Sequence, residues 1–153
     1  AVSLGMRDQA NMVYIESCSA DKRSDARPDV GAVRPVLRTA MGRAWLAGVG
    51  PEEREVALNQ LRVGVPDEWQ RYRPQLDQAM RDHAELGVCV SYGDTQKNVY
   101  GIAVPLCAPV DSETLVFNCA VMDHTPQARA LLDDVAPRLI AMVANVESAA
   151  GLR

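Results

Sequence analysis

A chain of 153 residues, 48 % hydrophobic and 24 % charged, can bury one real core but is too short for two comfortable domains. Its formal net charge of −4 comes with no stripe of lysine or arginine, and the densest basic pair, Lys22-Arg23, is flanked by Asp21 and Asp25. Phosphate neutralisation supplies most nucleic-acid affinity, so direct DNA contact by this segment is not expected. No apolar run approaches the roughly 20 residues of a membrane span.

From the N-terminus, Val2–Met6, the polar stretch Arg7–Asn11 and Met12–Cys18 read as strand, turn, strand. No basic region followed by an apolar run marks a signal peptide. The chain opens inside a strand pattern without a methionine, which reads as part of a longer protein in the cytoplasm. Ala20–Arg27 is charged and serine-containing, hence a solvated loop, and a short extended piece is expected around Asp29–Val33, ending at Pro35.

Helices come next. Thr39 can cap a helix from Ala40 to about Val49, with Met41, Ala44, Trp45 and Leu46 at apolar spacing. Gly50-Pro51 opens a second helix, Glu52 to Leu61, with acidic residues at the positive end of its dipole. A third is expected to start at Pro74, since an internal proline removes a hydrogen bond, and to stop at Gly87. The period then changes to two. Val88–Ser91, Val99–Pro105 and Thr114–Met122 read as strands, and Thr125-Pro126 caps a last helix to about Ala149 that Pro137 should bend. Hairpin-length connections imply an α+β fold, a mainly antiparallel sheet with helices packed on it.

The four cysteines, Cys18, Cys89, Cys107 and Cys119, contain no Cys-x-x-Cys pair. With His83 and His124 the only histidines, no zinc site and no cofactor are expected. Buried free thiols are the expectation. Asp21, Asp25 and Asp29 are spaced by four rather than by the two of a calcium loop. A thiol nucleophile using His124 lacks an orienting third group, so the chain is read as not an enzyme. His83 reads as a partly buried helix residue, and Glu52–Glu55 as a solvated face.

Pro35-Val36-Leu37-Arg38-Thr39-Ala40-Met41-Gly42-Arg43-Ala44-Trp45-Leu46-Ala47 resembles the opening of the helical part of IclR-family effector domains. Gly87–Ser91, Val99–Pro105 and the Leu132–Pro137 stretch fall in the same family's order and spacing, so the resemblance covers residues 1–153. It implies a GAF-like or profilin-like domain with a curved sheet, whose winged helix-turn-helix lies outside this chain. It also implies dimers or tetramers, and allosteric control of DNA binding by a small organic effector, often a carboxylate or an aromatic compound.

Alternation splits the later strands into two faces. One carries Tyr100, Ile102, Val104, Leu115, Phe117, Cys119 and Val121; the other carries Gly101, Ala103 and Ala120 with a lone amide at Asn118. Small residues leave volume, to be filled either by a packed helix or by a ligand. The resemblance places effector contacts at Ala40, Met41, Ser91, Gly101, Asn118 and Ala120. Family members that sense very small keto acids carry cysteine at the Gly101 position, serine at Ala120 and alanine at Met41. The first two changes enlarge the site and the third shrinks it, so a larger effector, such as one with a ring, is expected. N–H groups at Ala40–Gly42 favour an anion, and Gly42 permits close approach. Arg34 could pair with a carboxylate, or could be a solvated loop residue. A purely structural oligomerisation module is the competing function.

Overall fold

The computed structural model describes residues 1–20, 28–122 and 128–153, the first five of the last segment as backbone. Val2–Asp8 (β1) and Asn11–Cys18 (β2) pair antiparallel. Asp8 faces Asn11, so the turn is Gln9-Ala10 alone, tighter than the polar stretch suggested, with Gln9 at φ +54°. Two-residue hairpins favour such positive φ because it matches strand twist. The register then slips: Leu4 pairs with Glu16 but Gly5 with Tyr14, leaving Ile15 as the extra residue of a β-bulge. Val33–Pro35 (β3) adds to β2, at the end of the extended piece expected from the sequence.

Ala40–Gly48 (α1) is capped as expected, the Gly42 N–H donating to Thr39 Oγ1 at 3.0 Å. Pro51–Gly64 (α2) runs a turn beyond its expected end. Pro66–Leu86 (α3) corrects the start expected at Pro74, which lies inside the helix. Pro66 occupies the first turn with Asp67 and Glu68 beside it, a stronger start signal than the internal proline is a stop. Gly87, at φ +76°, ends the helix in the left-handed conformation.

Cys89–Tyr92 (β4), Val99–Pro105 (β5) and Val116–Met122 (β6) follow, then Ala128–Ala149 (α4), which continues through Pro137. The expected cap at Thr125-Pro126 lies outside the described residues. Sheet order is β3-β2-β1-β6-β5-β4, antiparallel throughout and curled into a half-barrel. No described helix is long and apolar enough to cross a membrane.

The two faces of β5 and β6 separate as alternation predicts. Ile102 and Val104, with Phe117 and Cys119, pack under α4 against Leu139 and Val143. Ala103 and Val116 belong instead to the core beneath α1 and α3, with Met12, Trp45, Leu61 and Leu76. A side chain at Gly42 would collide with the Val36 backbone, and one at Gly48 would come within 2.5 Å of Pro105. Glycine therefore lets α1 lie close to its neighbours on both sides.

Candidate functional site

Helix α1 covers only part of the small-residue face. Ala103 is fully buried in the core that includes α1. Further along, where α1 begins, Gly101 and Ala120 sit opposite each other in register and remain partly open. A Cβ on Gly101 would lie 3.2 Å from Ala40 Cβ and 3.3 Å from Asn118 Oδ1. Helix packing thus fills one half of that face, and a cavity of about 100 Å³ occupies the other.

Of the residues singled out from the sequence, Arg34, Ala40, Ser91, Gly101, Asn118 and Ala120 all line this cavity. Met41 does not. It is fully buried one helical step from Ala40, and its thioether lies against Gly5 of β1. Successive helix residues point about 100° apart, so Ala40 faces β5 while Met41 faces β1. Gly42 is likewise no anion site, because its N–H is already donated to Thr39 Oγ1 and the space a Cβ would take there is filled by the Val36 backbone.

Tyr14, Thr39, Thr95 and Gln96 complete the polar lining, with Pro28 and Val99 as further apolar wall. Tyr14 reaches the cavity because of the β-bulge. Ser17 pairs with Ser3 on the cavity side, and strict alternation from there would turn Tyr14 to the opposite face. The extra residue Ile15 swings Tyr14 and Met12 back. Both are buried, Tyr14 at 6 % exposure.

The cavity's polar groups differ in what they have left to offer. Ser91 Oγ donates to the Arg38 carbonyl at 3.0 Å, with Asp94 Oδ2 at 3.4 Å as an alternative acceptor. Thr95 Oγ1 donates to the same carbonyl at 3.3 Å, and Thr39 Oγ1 to the Pro35 carbonyl at 3.1 Å. Asn118 is 5 % exposed and its amide has no hydrogen-bond partner among the described residues, nor has the Tyr14 hydroxyl. Neither group is sealed off: the enclosed polar atoms without a partner among the described residues are Arg38 Nε and Gln75 Oε1, whereas Asn118 and Tyr14 open into the cavity, where a ligand or water can bond them. Burial raises the Tyr14 pKa, against a smaller downward pull from the Arg34 charge, so the phenol keeps its proton at neutral pH. Arg34 is exposed, donates from Nη1 to the Val33 carbonyl at 2.9 Å, and has no ion-pair partner among the described residues. No carboxylate lines the cavity among the described residues.

The rim is held by a residue to which the sequence alone assigns no role. Arg43, 1 % exposed, donates from Nε to the Leu37 carbonyl at 2.9 Å and from Nη1 to the Val90 carbonyl at 3.2 Å. Its Nη2 meets Asp94 Oδ2 at 2.8 Å. One buried guanidinium therefore ties α1 to β4 and to the loop that presents Thr95 and Gln96. Arg54, expected on a solvated face, instead donates to the Leu46, Ala47 and Val49 carbonyls and closes the end of α1.

The thiols offer no activated nucleophile among those that titrate abnormally. Burial pushes Cys89 up to about 12, and it also raises Cys119 and Cys107; a catalytic thiol needs the opposite shift. Burial of the cysteines is only partly right: Cys89 is buried and Cys119 half-buried, whereas Cys18, at the end of β2, and Cys107, in the loop after β5, are exposed. His83 is half-buried, and burial together with Arg54 lowers its pKa. His124 lies outside the described residues, and no cluster of metal ligands occurs among those described.

Residues 1–143 match the family model described as the bacterial transcriptional regulator IclR C-terminal region. The HTH-type transcriptional regulator TsaQ1/TsaQ2 of Comamonas testosteroni is 28 % identical over 150 residues, 96 % of this chain and 54 % of that protein. An IclR-family transcriptional regulator from Brucella abortus superposes with a TM-score of 0.88 at 35 % identity, covering 97 % of this chain and 56 % of that one. An IclR homologue from Microbacterium hydrocarbonoxydans, solved in complex with 4-hydroxybenzoate, shares the fold with a TM-score of 0.68 at 19 % identity, covering 96 % and 59 %. The chain spans a little over half the length of these relatives. Its relatives are transcriptional regulators rather than enzymes, and the chain itself belongs to the IclR family, as the C-terminal, effector-domain part of such a regulator.

Proposed function

We propose that this domain senses a small organic effector, a carboxylate or aromatic metabolite, in the cavity between the start of α1 and the β5–β6 face. The observation that carries this reading is Asn118, buried beside Gly101 and Ala120 with no protein partner for its amide among the described residues. A cavity of about 100 Å³ is of the order that accepts one compact molecule, since an engineered apolar void of ~150 Å³ binds benzene. Ala40, Gly101 and Ala120 supply the walls, and Ser91, Asn118 and Arg34 supply polar contacts. Met41 acts indirectly, by fixing the distance between α1 and β1.

In this proposal the domain has no catalytic role and works in the cytoplasm as part of a dimer or tetramer. It controls DNA binding by a winged helix-turn-helix elsewhere in the regulator. The extra length of its relatives leaves room for such a unit. Occupation of the cavity would alter the contacts of α1, β4 and the 93–98 loop, which Arg43 joins into one unit.

A thermal-shift screen of aliphatic and aromatic carboxylates tests the reading. A ligand at a hundred times its Kd stabilises the native state by about 2.7 kcal/mol. Asn118→Leu should abolish that shift and leave the oligomeric state intact. A shift that survives Asn118→Leu unchanged would remove the cavity from the account.

A further inference from the structure

We propose that a second cleft, between α3 and the sheet edge at β4, binds a small organic cation that carries N–H donors, an alkylammonium or a guanidinium. The cleft lies outside the effector cavity and does not depend on how that cavity is read.

β4 ends the strand order β3-β2-β1-β6-β5-β4, so no further strand pairs with its outer edge. Beside that edge, Gln75, Gln78, Ala79 and Asp82 of α3 face Val90 and Tyr92 across a cleft of about 250 Å³. The four helix positions recur at three- and four-residue steps and so share one side of α3. From Gln75 to Asp82 the helix rises about 10 Å, which gives an extended chain of several carbons room to lie along it. Ala79 and Val90 are buried and form an apolar floor. Arg43 and Asp94 close the cleft on the side of the effector cavity, where Asp94 Oδ2 lies 3.4 Å from Ser91 Oγ.

The strongest donors in the lining are already spent. Arg43 gives its guanidinium to the Leu37 and Val90 carbonyls and to Asp94 Oδ2. Gln78 Nε2 donates to Asp82 Oδ1 at 2.8 Å, and Gln78 Oε1 takes the exposed Arg81 at 2.7 Å. Acceptor oxygens remain. Asp82 has no ion-pair partner among the described residues, and nothing there donates to its Oδ2 or to Asp94 Oδ1. Two carboxylates against one guanidinium leave the lining net negative. Asp82 is no purely solvated charge: burial raises the Tyr92 and Cys89 pKa values, and the Asp82 charge adds to both shifts.

Gln75 supplies an independent sign of a missing donor. Its Oε1 is enclosed in the wall of the cleft without a partner among the described residues, and an enclosed acceptor left unbonded is costly. The terminal torsion of glutamine is broad, so a donor arriving in the cleft can draw this oxygen round to it. At the rim, Tyr92 is 43 % exposed and its ring is held edge-to-face against Tyr100; an aromatic face attracts a cation. Carboxylate oxygens, an amide oxygen and a ring face together fit a cation with several N–H groups, not an anion or a neutral apolar molecule.

Proton–nitrogen correlation NMR on the purified protein, titrated with putrescine at constant ionic strength, tests this. Tetramethylammonium, a cation without N–H, and butanediol, the neutral counterpart, serve as controls. Putrescine is expected to give saturable shifts at the Gln75 side-chain amide and at the backbone amides of residues 78–82 and 90–94, and the controls none. Asp82→Asn and Gln75→Leu should each weaken binding, the first by about tenfold; both positions are half-buried on α3, and a circular dichroism melt of each variant checks the fold. Asn118→Leu, in the other cavity, should leave putrescine binding unchanged. No saturable shift at millimolar putrescine overturns the inference, as do shifts confined to other residues. Equal binding of either control, or an affinity unchanged in both Asp82→Asn and Gln75→Leu, overturns it too, and none of these results touches the effector reading.

Discussion

Replacing Arg43 by methionine keeps most of the buried stem and removes every hydrogen bond the guanidinium makes. The Leu37 and Val90 carbonyls and the Asp94 carboxylate are left without their donor. Breaking a buried pair by removing one partner costs about 3–5 kcal/mol. Arg43 is 1 % exposed but the Asp94 side chain is 16 % exposed, so the carboxylate can recover some hydration and the cost belongs near the lower figure. About 3 kcal/mol, at roughly 2–4 °C per kcal/mol for a domain of this size, lowers Tm by about 6–12 °C. Asp94→Asn still offers an oxygen to Arg43 and removes only the charge, so it should cost about 1 kcal/mol. Thermal unfolding followed by circular dichroism measures both. An Arg43→Met variant melting within about 1 °C of the parent would refute the idea that this guanidinium joins α1 to the rim. Equal losses in both variants would show that the Asp94 charge carries the effect alone.

Gly101→Ala places a methyl 3.2 Å from Ala40 Cβ, a tight but yielding contact at ordinary φ. Reduced freedom of the unfolded chain offsets that crowding by about 0.4–1 kcal/mol, so Tm should move by only a few degrees while ligand-induced stabilisation falls in the same thermal-shift assay. Glu147, 1 % exposed on α4, experiences a burial effect that raises its pKa, but bonds from the Cys107 N–H at 2.7 Å and from Arg153 outweigh it and leave the value below 4.5. A depressed folded-state pKa contributes stability that is present above the unfolded value and is lost as pH falls through the folded one. Glu147→Gln should therefore lose about 1.5 kcal/mol at pH 7, and denaturant titrations should find the gap to the parent closing as pH drops below 4.5. Iodoacetamide on the native protein should modify Cys18 and Cys107 first, and should reach Cys89 only after denaturation, as peptide mass mapping can follow.

Much of this was legible because local pattern and tertiary context agree. The small face of β5 and β6, with Asn118 among glycine and alanine, follows from alternation alone, and register then sets Gly101 opposite Ala120. The α1 cap at Thr39 was equally plain. The misses have specific causes. Pro74 reads as a helix start, yet a 21-residue helix with a better start at Pro66 tolerates one missing hydrogen bond. Met41 follows Ala40 in sequence but diverges from it in space, a matter of helical phase against a sheet whose position no local pattern encodes. Tyr14 was invisible as a lining residue because a bulge at Ile15 overrides the alternation by which its face would be assigned. Thr95 and Gln96 lie in a loop whose path depends on Arg43 and Asp94, 51 residues apart in sequence and in contact at 2.8 Å.

The central claim is that the effector occupies the α1 side of the sheet. A crystal structure with a bound carboxylate from the screen tests it most directly. The account predicts the ligand between Gly101 and Ala120, within hydrogen-bond distance of the Asn118 amide, its anionic group toward Arg34. An apolar groove also exists on the opposite face, lined by Val2, Leu4, Phe117 and Met142. A ligand found there, with the Asn118 amide untouched, would contradict the account.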